Sequence, residues 1–450
     1  MSSFPPQPSV APPGSWQFPT PTRSLLSNGV ELVVYQLPGQ HVVAGHLVVP
    51  LGLENEDRAH EGVATITART LDEGTRAHPG EEFAELLETE GAGFGIDVSL
   101  SGIQAVLDVP TTRLESALPL FAEAITTPAL EDADVDRHVQ LRLAEIEQAQ
   151  ANSSQLASIA FRAAIYDQSF RASRMTAGEP DTVAAIGPEE VRAFHAERFG
   201  PRGTTLILAG DFRDSDPGEL AERTFGGWQV AAQRAGEREQ PAATPRSAIV
   251  VDRPGSVQAD VRLGGFGIDR RHPAWADITV AGYAMGGAFL SRLNAVLREE
   301  KGYTYGVRFG FTPLRSGGSY ALQGSFRTDV VVDALVTAGE LLQIAGRPIT
   351  AAEVVDAITY FTGVSPLRYA TADGVADQAA AHVLAGLDDD YVDRNLAALA
   401  AVTPESATAA YDELVRLDDL TLVVVGDADR LAEPLRAAGY PDLEVREPGR

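Results

Sequence analysis

The segment "LREEKGYTYGV" (297–307) gathers Arg298, Lys301, Tyr303 and Tyr305 around Gly302. A guanidinium presents a fixed fork of N–H donors to a carbonyl or carboxylate, and a phenol can donate to an oxygen on which negative charge develops. Such a segment can grip a peptide. Cleaving one also needs a nucleophile, a base or a metal. Cysteine is absent, which removes the thiolate nucleophile and the cysteine zinc site. There is no G-x-S-x-G elbow and no P-loop. The eight histidines, His41, His46, His60, His78, His138, His195, His272 and His382, form no H-E-x-x-H. In "HPGEE", His78 stands three residues before Glu81, but the fifth residue is Glu82. Pro79 places His78 at a helix entrance, so the stretch reads as a helix start with acidic residues favoured by the dipole. His46, among apolar strand neighbours, reads as a core or sheet-face residue, and His195 in "VRAFHAERF" as a helix-surface residue.

The elements that must position Arg298 and Tyr305 come in two copies. Pro38-Gly39 and Pro254-Gly255 are 216 residues apart, as are Pro188 and Pro404, and Gly210-Asp211 and Gly426-Asp427. Three coincidences in one register indicate a duplication. In each copy, alternating or continuous apolar runs such as "GVELVVYQ", "HVVAGHLVV" and "TTLILAG" predict strands. "EGVATITARTLDEG" predicts a buried helix stopped by Gly74, and "PGEEFAELLETEG" a helix between Pro79 and Gly91. "TTRLESALPLFAEAI" and "EDADVDRHVQLRLAEIEQAQA" carry apolar residues three and four apart, as amphipathic helices do. "FLSRLNAVLREEKG" reads as a helix ending at Gly302, with a strand beginning in "YTYGVRFGF", so that Arg298 closes a helix and Tyr305 opens a strand. The fold class is α+β: two homologous halves, each a mostly antiparallel sheet with helices packed on it. The expected boundaries are a Pro-rich, disordered arm over 1–22, a first half over 23–228, an exposed linker over 229–248 and a second half over 249–450.

Composition narrows the partners. The net charge of −27 argues against nucleic acid, whose phosphates need a basic surface, and permits a basic peptide substrate. No apolar run approaches the roughly 20 residues of a membrane span. The N-terminal stretch has no basic region followed by an apolar one, so no signal peptide is expected. The lack of cysteine fits a reducing compartment, and a cytoplasmic location is expected.

The duplicated halves, "GVATITARTLDEGT" and "SRLNAVLREEKGYTYGV" resemble the insulinase/pitrilysin (inverzincin) zinc peptidases, most of all their half-size bacterial branch. The resemblance runs from about Arg23 to about Ala438. Active members carry G-x-x-H-x-x-E-H-x-x-x-x-G-T in the first half. Here Gly62 and Gly74-Thr75 keep the frame, while Thr65 and Arg69 stand at the two histidine positions and Ala68 at the general-base glutamate. The family's third ligand corresponds to Glu145, and a further family glutamate to His138. Thr65 is a poor zinc ligand and Arg69 has no lone pair to offer, so no cofactor is expected on this chain. An Arg69–Glu145 ion pair, with both guanidinium N–H groups on one carboxylate, is one expectation for the vacated position. A solvent-facing Glu145 is the other.

The resemblance also implies that Arg298 and Tyr305 hold the substrate backbone and stabilise the transition state, in a clamshell whose other half is a homologous subunit with intact H-x-x-E-H and zinc. The peptide would lie extended along a sheet edge. Apart from Gly286-Gly287, the glycine-rich loop of the mitochondrial non-catalytic subunit has no counterpart. Three readings follow: the non-catalytic, substrate-binding subunit of a heterodimeric zinc metallopeptidase, a structural scaffold, or a peptide-binding homodimer.

Overall fold

A computed structural model describes residues 16–230 and 241–448. The first fifteen residues of the expected arm and residues 231–240 of the expected linker lie outside the described residues.

Two six-stranded sheets organise the chain. The first is built from β1 (Thr22–Leu25), β2 (Glu31–Gln36), β3 (Val42–Val49), β4 (Gly93–Val98), β5 (Ile103–Pro110) and β6 (Thr205–Gly210), in the order β1-β2-β6-β3-β5-β4. The second is built from β7 (Ala248–Asp252), β8 (Gln258–Gly267), β9 (Val307–Pro313), β10 (Gly318–Arg327), β11 (Thr421–Gly426) and β12 (Glu444–Arg446), in the order β12-β7-β11-β8-β10-β9. From the second position onward the two orders are the same path, which is the duplication in three dimensions. A parallel pair common to both copies, β2 with β6 and β7 with β11, interrupts the antiparallel ladders. The outermost strands depart from the repeat: β1 runs antiparallel to β2, whereas β12 runs parallel to β7.

The central strands "TLILAG" and "TLVVVG" are apolar almost throughout, and every residue of both is buried. A strand with no polar face needs cover on both sides. One side of each sheet packs on helices of its own half. The other side is covered by a helix from the opposite half. The Ala372–Ala385 helix lays Ala372, Val375, Ala376 and Ala379 against Val33, Tyr35, Ala44 and Ile207 of the first sheet. The Ser153–Ile165 helix lays Leu156, Ala157 and Phe161 against Ile249, Val251, Val423 and Val425 of the second. Both helices start on side-chain caps. Asn152 Oδ1 accepts from the Ser154 and Gln155 amides, and Thr371 Oγ1 from Gly374. This reciprocal exchange locks the halves together through apolar burial.

The end of the expected arm is not free. Phe18 is 4% exposed and joins the exchanged core, and Trp16 stacks on Tyr369 at 5.6 Å. Two aromatics bury enough area to outweigh the ordering cost of a short Pro-rich stretch. The end of the expected linker is pinned as well: the Asp167 amide donates to Ala242 O at 2.9 Å and the Thr244 amide to Ile165 O at 3.2 Å.

His382 sits inside the exchanged core, 1% exposed. Gln378 Nε2 lies 2.8 Å from its Nε2, which accepts, and its ring meets Phe18 and Tyr391. Burial first, then the nearby Arg270, lowers its pKa to about 4, with Asp389 opposing. A histidine with a depressed folded pKa contributes stability that is present above its unfolded pKa near 6.5 and is lost as pH falls towards 4. Urea unfolding is therefore expected to report about 2 kcal/mol less stability at pH 5 than at pH 7 from this group alone. His382→Gln should shrink that difference, and an unchanged difference would remove His382 as its source.

Candidate functional site

The first-half motif lies on a short helix, Val63–Arg69. Its expected run to Gly74 is not seen: the helix closes at Thr70, whose hydroxyl donates to Thr67 O at 2.8 Å. Gly74 instead has φ +134° in a turn beside Pro79. The helix N-terminus is held by a buried carboxylate. Glu56 Oε1 accepts from the Gly62 and Ala64 amides, each at 2.9 Å, and Glu56 Oε2 accepts from Arg171 Nη2 at 3.0 Å. Arg171, 2% exposed, also donates to the Met175 and Thr176 carbonyls. Neighbouring Glu61 takes Arg174 Nη2 at 2.6 Å. Burial pushes the Glu56 carboxyl up to about 7, against the pull of Arg171 and the two amides.

On this helix Thr65 and Arg69 are half-buried and Ala68 is 1% exposed. Arg69 Nη1 meets Glu145 Oε1 at 2.8 Å. The expected two-pronged fork does not form, because the second carboxylate oxygen faces Arg142 Nη1 at 3.2 Å. Glu145 is shared between two guanidinium groups. Arg69 and then Arg142 hold its carboxyl below the usual range. With side-chain exposures of 34% and 42% the pair is modest in energy, and Glu145→Ala is expected to lower stability by about 0.5–1 kcal/mol in guanidinium titrations.

The donor set does not suit a zinc ion. A hydroxyl, a methyl and a cation occupy the positions where two imidazoles and a base would be needed. Among the described residues no group of three His, Asp or Glu side chains is placed to hold a metal. His138 is turned to Glu73 at 2.7 Å, and His78 to Glu123 at 2.9 Å. His46 is buried, as expected. His195 is not a surface residue: it is half-buried, its Nε2 lies 2.8 Å from Ile125 O, and its ring stacks on Phe199.

The second-half segment differs from its expected form. Phe289 and Leu290 form an exposed turn, Arg292–Asn294 is one α-helical turn, and Ala295–Glu300 is a wider π-type turn closed by Lys301 N–H to Val296 O at 2.9 Å. The strand begins at Val307, not in "YTY". Gly302 has φ +62°, and Thr304 Oγ1 accepts from the Gly306 amide at 3.2 Å. The Val307 amide goes to Asn294 Oδ1 at 2.8 Å rather than to a strand partner. Tyr305 therefore projects from a loop, 97% exposed. Its look-alikes are structural: Lys301 Nζ and Tyr303 Oη both meet Asp333, at 2.9 and 2.7 Å.

Arg298 lies flat over the Phe289 ring at 3.7 Å, an arrangement that restrains the guanidinium plane. Its Nε and Nη2 converge on Glu299 Oε1 at 2.6 and 2.5 Å, which leaves Nη1 without a partner among the described residues. Arg298 lines a cavity of about 480 Å³ with Asp260, Arg262, Arg308 and Gln323. Tyr305 is not in that lining. Sequence reasoning missed Glu56, Arg171, Phe289 and Arg262. Phe289 opens the segment "FLSRLNAVLREEKG" that also holds Arg298; the others act across separations that no local pattern reports.

These features define a class: duplicated α+β chains on a zinc-peptidase frame whose first-half motif lacks metal ligands. The chain belongs to the insulinase family, peptidase family M16. Residues 32–176 match the insulinase (peptidase family M16) domain and residues 185–360 the peptidase M16 inactive domain. An uncharacterized zinc protease of Streptomyces coelicolor is 23% identical over 418 residues, spanning 90% of this chain and 89% of the other. The non-peptidase homolog YmxG of Helicobacter pylori is 23% identical over 330 residues, 72% of this chain and 75% of that one. The crystal structure of a peptidase M16 inactive domain from Pseudomonas fluorescens superposes with a TM-score of 0.83 at 24% identity, covering 91% of this chain and 98% of that one. Among the described residues no helix is long and apolar enough to cross a membrane.

Proposed function

We propose that this chain is the non-catalytic, substrate-binding subunit of a two-chain zinc peptidase, with Arg298 and Tyr305 completing the site of a homologous partner that carries intact H-x-x-E-H. One contrast carries the reading. The first-half motif is filled by the Arg69–Glu145–Arg142 cluster, while Arg298 keeps a free N–H edge toward a cavity and Tyr305 keeps a free hydroxyl at full exposure. In that role Arg298 Nη1 donates to a substrate carbonyl and Tyr305 donates to the oxygen that gains charge. The zinc and the base belong to the partner. Like this chain, the partner would be a cytoplasmic protein.

The test mixes this protein with a family member carrying intact H-x-x-E-H and follows cleavage of a quenched peptide library, against each chain alone, with and without chelator. Activity in the mixture only, abolished by chelator, is the expected result. A complex that forms with a metal-loaded partner and cuts nothing favours a scaffold, the reading consistent with the name of the Helicobacter pylori relative and with Arg298 already engaging Glu299.

A further inference from the structure

The cavity beside Arg298 adjoins a second one of about 500 Å³, with Ser154, Arg262 and Gln323 lining both. Together they are lined by five arginines, Arg142, Arg162, Arg262, Arg298 and Arg308, and by a single carboxylate, Asp260. In a chain with net charge −27 this is a local inversion of sign.

The arrangement is built rather than incidental. Arg262 on β8, Gln323 on β10 and Arg308 on β9 are direct cross-strand neighbours, so they form one row across a face of the second sheet. Arg262 is 6% exposed, yet its hydrogen bonds go only to neutral oxygens: Ser154 O and Oγ at 2.8 Å, Ser158 Oγ at 3.1 and 3.2 Å, and Val261 O at 2.9 Å. Neutral acceptors satisfy a guanidinium without cancelling its charge; the nearby Asp260 offsets part of it, and positive charge remains in excess in the lining. Arg162 reaches only Thr176 Oγ1 at 3.5 Å, and Arg308 makes no hydrogen bond or ion pair among the described residues. Arg142 and Arg298 are partly compensated, by Glu145 and Glu299, which stand outside the lining. Burial lowers the pKa of Arg142, Arg162 and Arg262 and raises that of Asp260, while Arg308 stands exposed.

We propose that this pair of adjoining cavities binds an acidic peptide segment, whose side-chain carboxylates pair with Arg162 and Arg308 across the Arg262–Gln323 row. The inference rests on the substrate-binding reading above and names its substrate class. Acidic side chains suit the site because a guanidinium with a free edge takes a carboxylate in a charge-assisted pair. Lysine side chains would meet uncompensated like charge.

The experiment uses the full chain alone and fluorescence anisotropy with labelled peptides of one length: Glu-rich, Gln-matched and Lys-rich. The Glu-rich peptide is expected to bind about tenfold or more tighter than the Gln-matched one at low salt, and to weaken as salt rises. Arg162→Gln with Arg308→Gln should cost about tenfold of that affinity, as two lost ion pairs imply. Arg308→Gln alone, at an exposed residue, should cost part of it and guards against a folding defect in the double variant. Arg430→Gln, on a helix that lines neither cavity, should cost nothing. Equal or tighter binding of the Lys-rich or Gln-matched peptide overturns the inference, as does unchanged Glu-rich binding in folded Arg308→Gln and double variants. Because no partner is present, failure here leaves partner completion standing. A mixture that cuts nothing while the Glu-rich peptide still binds sinks the shared site and leaves this one.

Discussion

Arg298→Ala in the two-chain complex is expected to lower kcat/KM by about 100-fold or more while the complex still assembles. The size follows from the geometry. Arg298 is oriented before any substrate arrives, stacked on Phe289 and anchored on one edge to Glu299, so little ordering remains at the transition state. Removing a preorganised donor from a site shielded from water costs more than removing an exposed one. Tyr305→Phe deletes one hydroxyl and keeps the ring, and a loss of about tenfold is expected when that hydroxyl meets developing charge. Tyr305 is 97% exposed, so its loss should leave thermal stability unchanged. Steady-state kinetics of complexes purified by size exclusion decide the matter. Full activity in both variants would remove the pair from the chemistry and move the scaffold reading ahead.

Arg171→Ala is expected to have the largest effect on stability, about 3–5 kcal/mol, because it strands charge in the interior. Glu56 is 0% exposed in its side chain and Glu61 3%, and Arg171 stands 3.0 Å from the first and 3.7 Å from the second. The same side chain holds the Met175 and Thr176 carbonyls, and Met175 and Thr176 form a wall of the proposed peptide cavity. A chain of this kind has on the order of 5–15 kcal/mol to lose in total. Arg171→Lys keeps the charge but not the fork, and an intermediate loss is expected. Guanidinium unfolding checks both, and a loss below about 1 kcal/mol in Arg171→Ala would show that Glu56 and Glu61 find other partners. The network also explains how the motif helix stays in place with no metal to tie it. Glu56 fastens its first turn while Glu145 meets its last residue.

Much of the fold is legible in the chain itself. The 216-residue spacing fell on equivalent turns, helix starts and strand ends, and the apolar runs "TLILAG" and "TLVVVG" became the doubly covered centres of the two sheets. The loss of the metal motif was equally legible, since Thr65, Ala68 and Arg69 carry their chemistry in their identities. Less legible was what stopped each element. The motif helix ends at Thr70 rather than Gly74, and Tyr305 lies in a loop ahead of β9 rather than in the strand. At Thr70 a local bond from its hydroxyl to Thr67 O competes with the helix, whereas ahead of β9 the Val307 amide is taken by Asn294 Oδ1, 13 positions away. The arm was read as disordered from its prolines, but Phe18 packs into the exchanged core, between Tyr35 of its own half and Tyr369 and His382 of the other.

By itself the sequence determined the class of fold, the duplication, the absence of zinc ligands and the retention of Arg298 and Tyr305. Each of these rests on residue identity or on short-range period, which a chain carries wherever it goes. Tertiary structure alone decided the exchange of the Ser153–Ile165 and Ala372–Ala385 helices, the sharing of Glu145 between Arg69 and Arg142, and the gathering of arginines into one cavity of an acidic protein. These depend on residues distant in sequence meeting in space, 76 positions apart for Arg69 and Glu145 and 108 for Ser154 and Arg262. Arg262 meets Ser154 only because a helix of the first half covers the sheet of the second, and a net charge of −27 says nothing about where the positive charges converge.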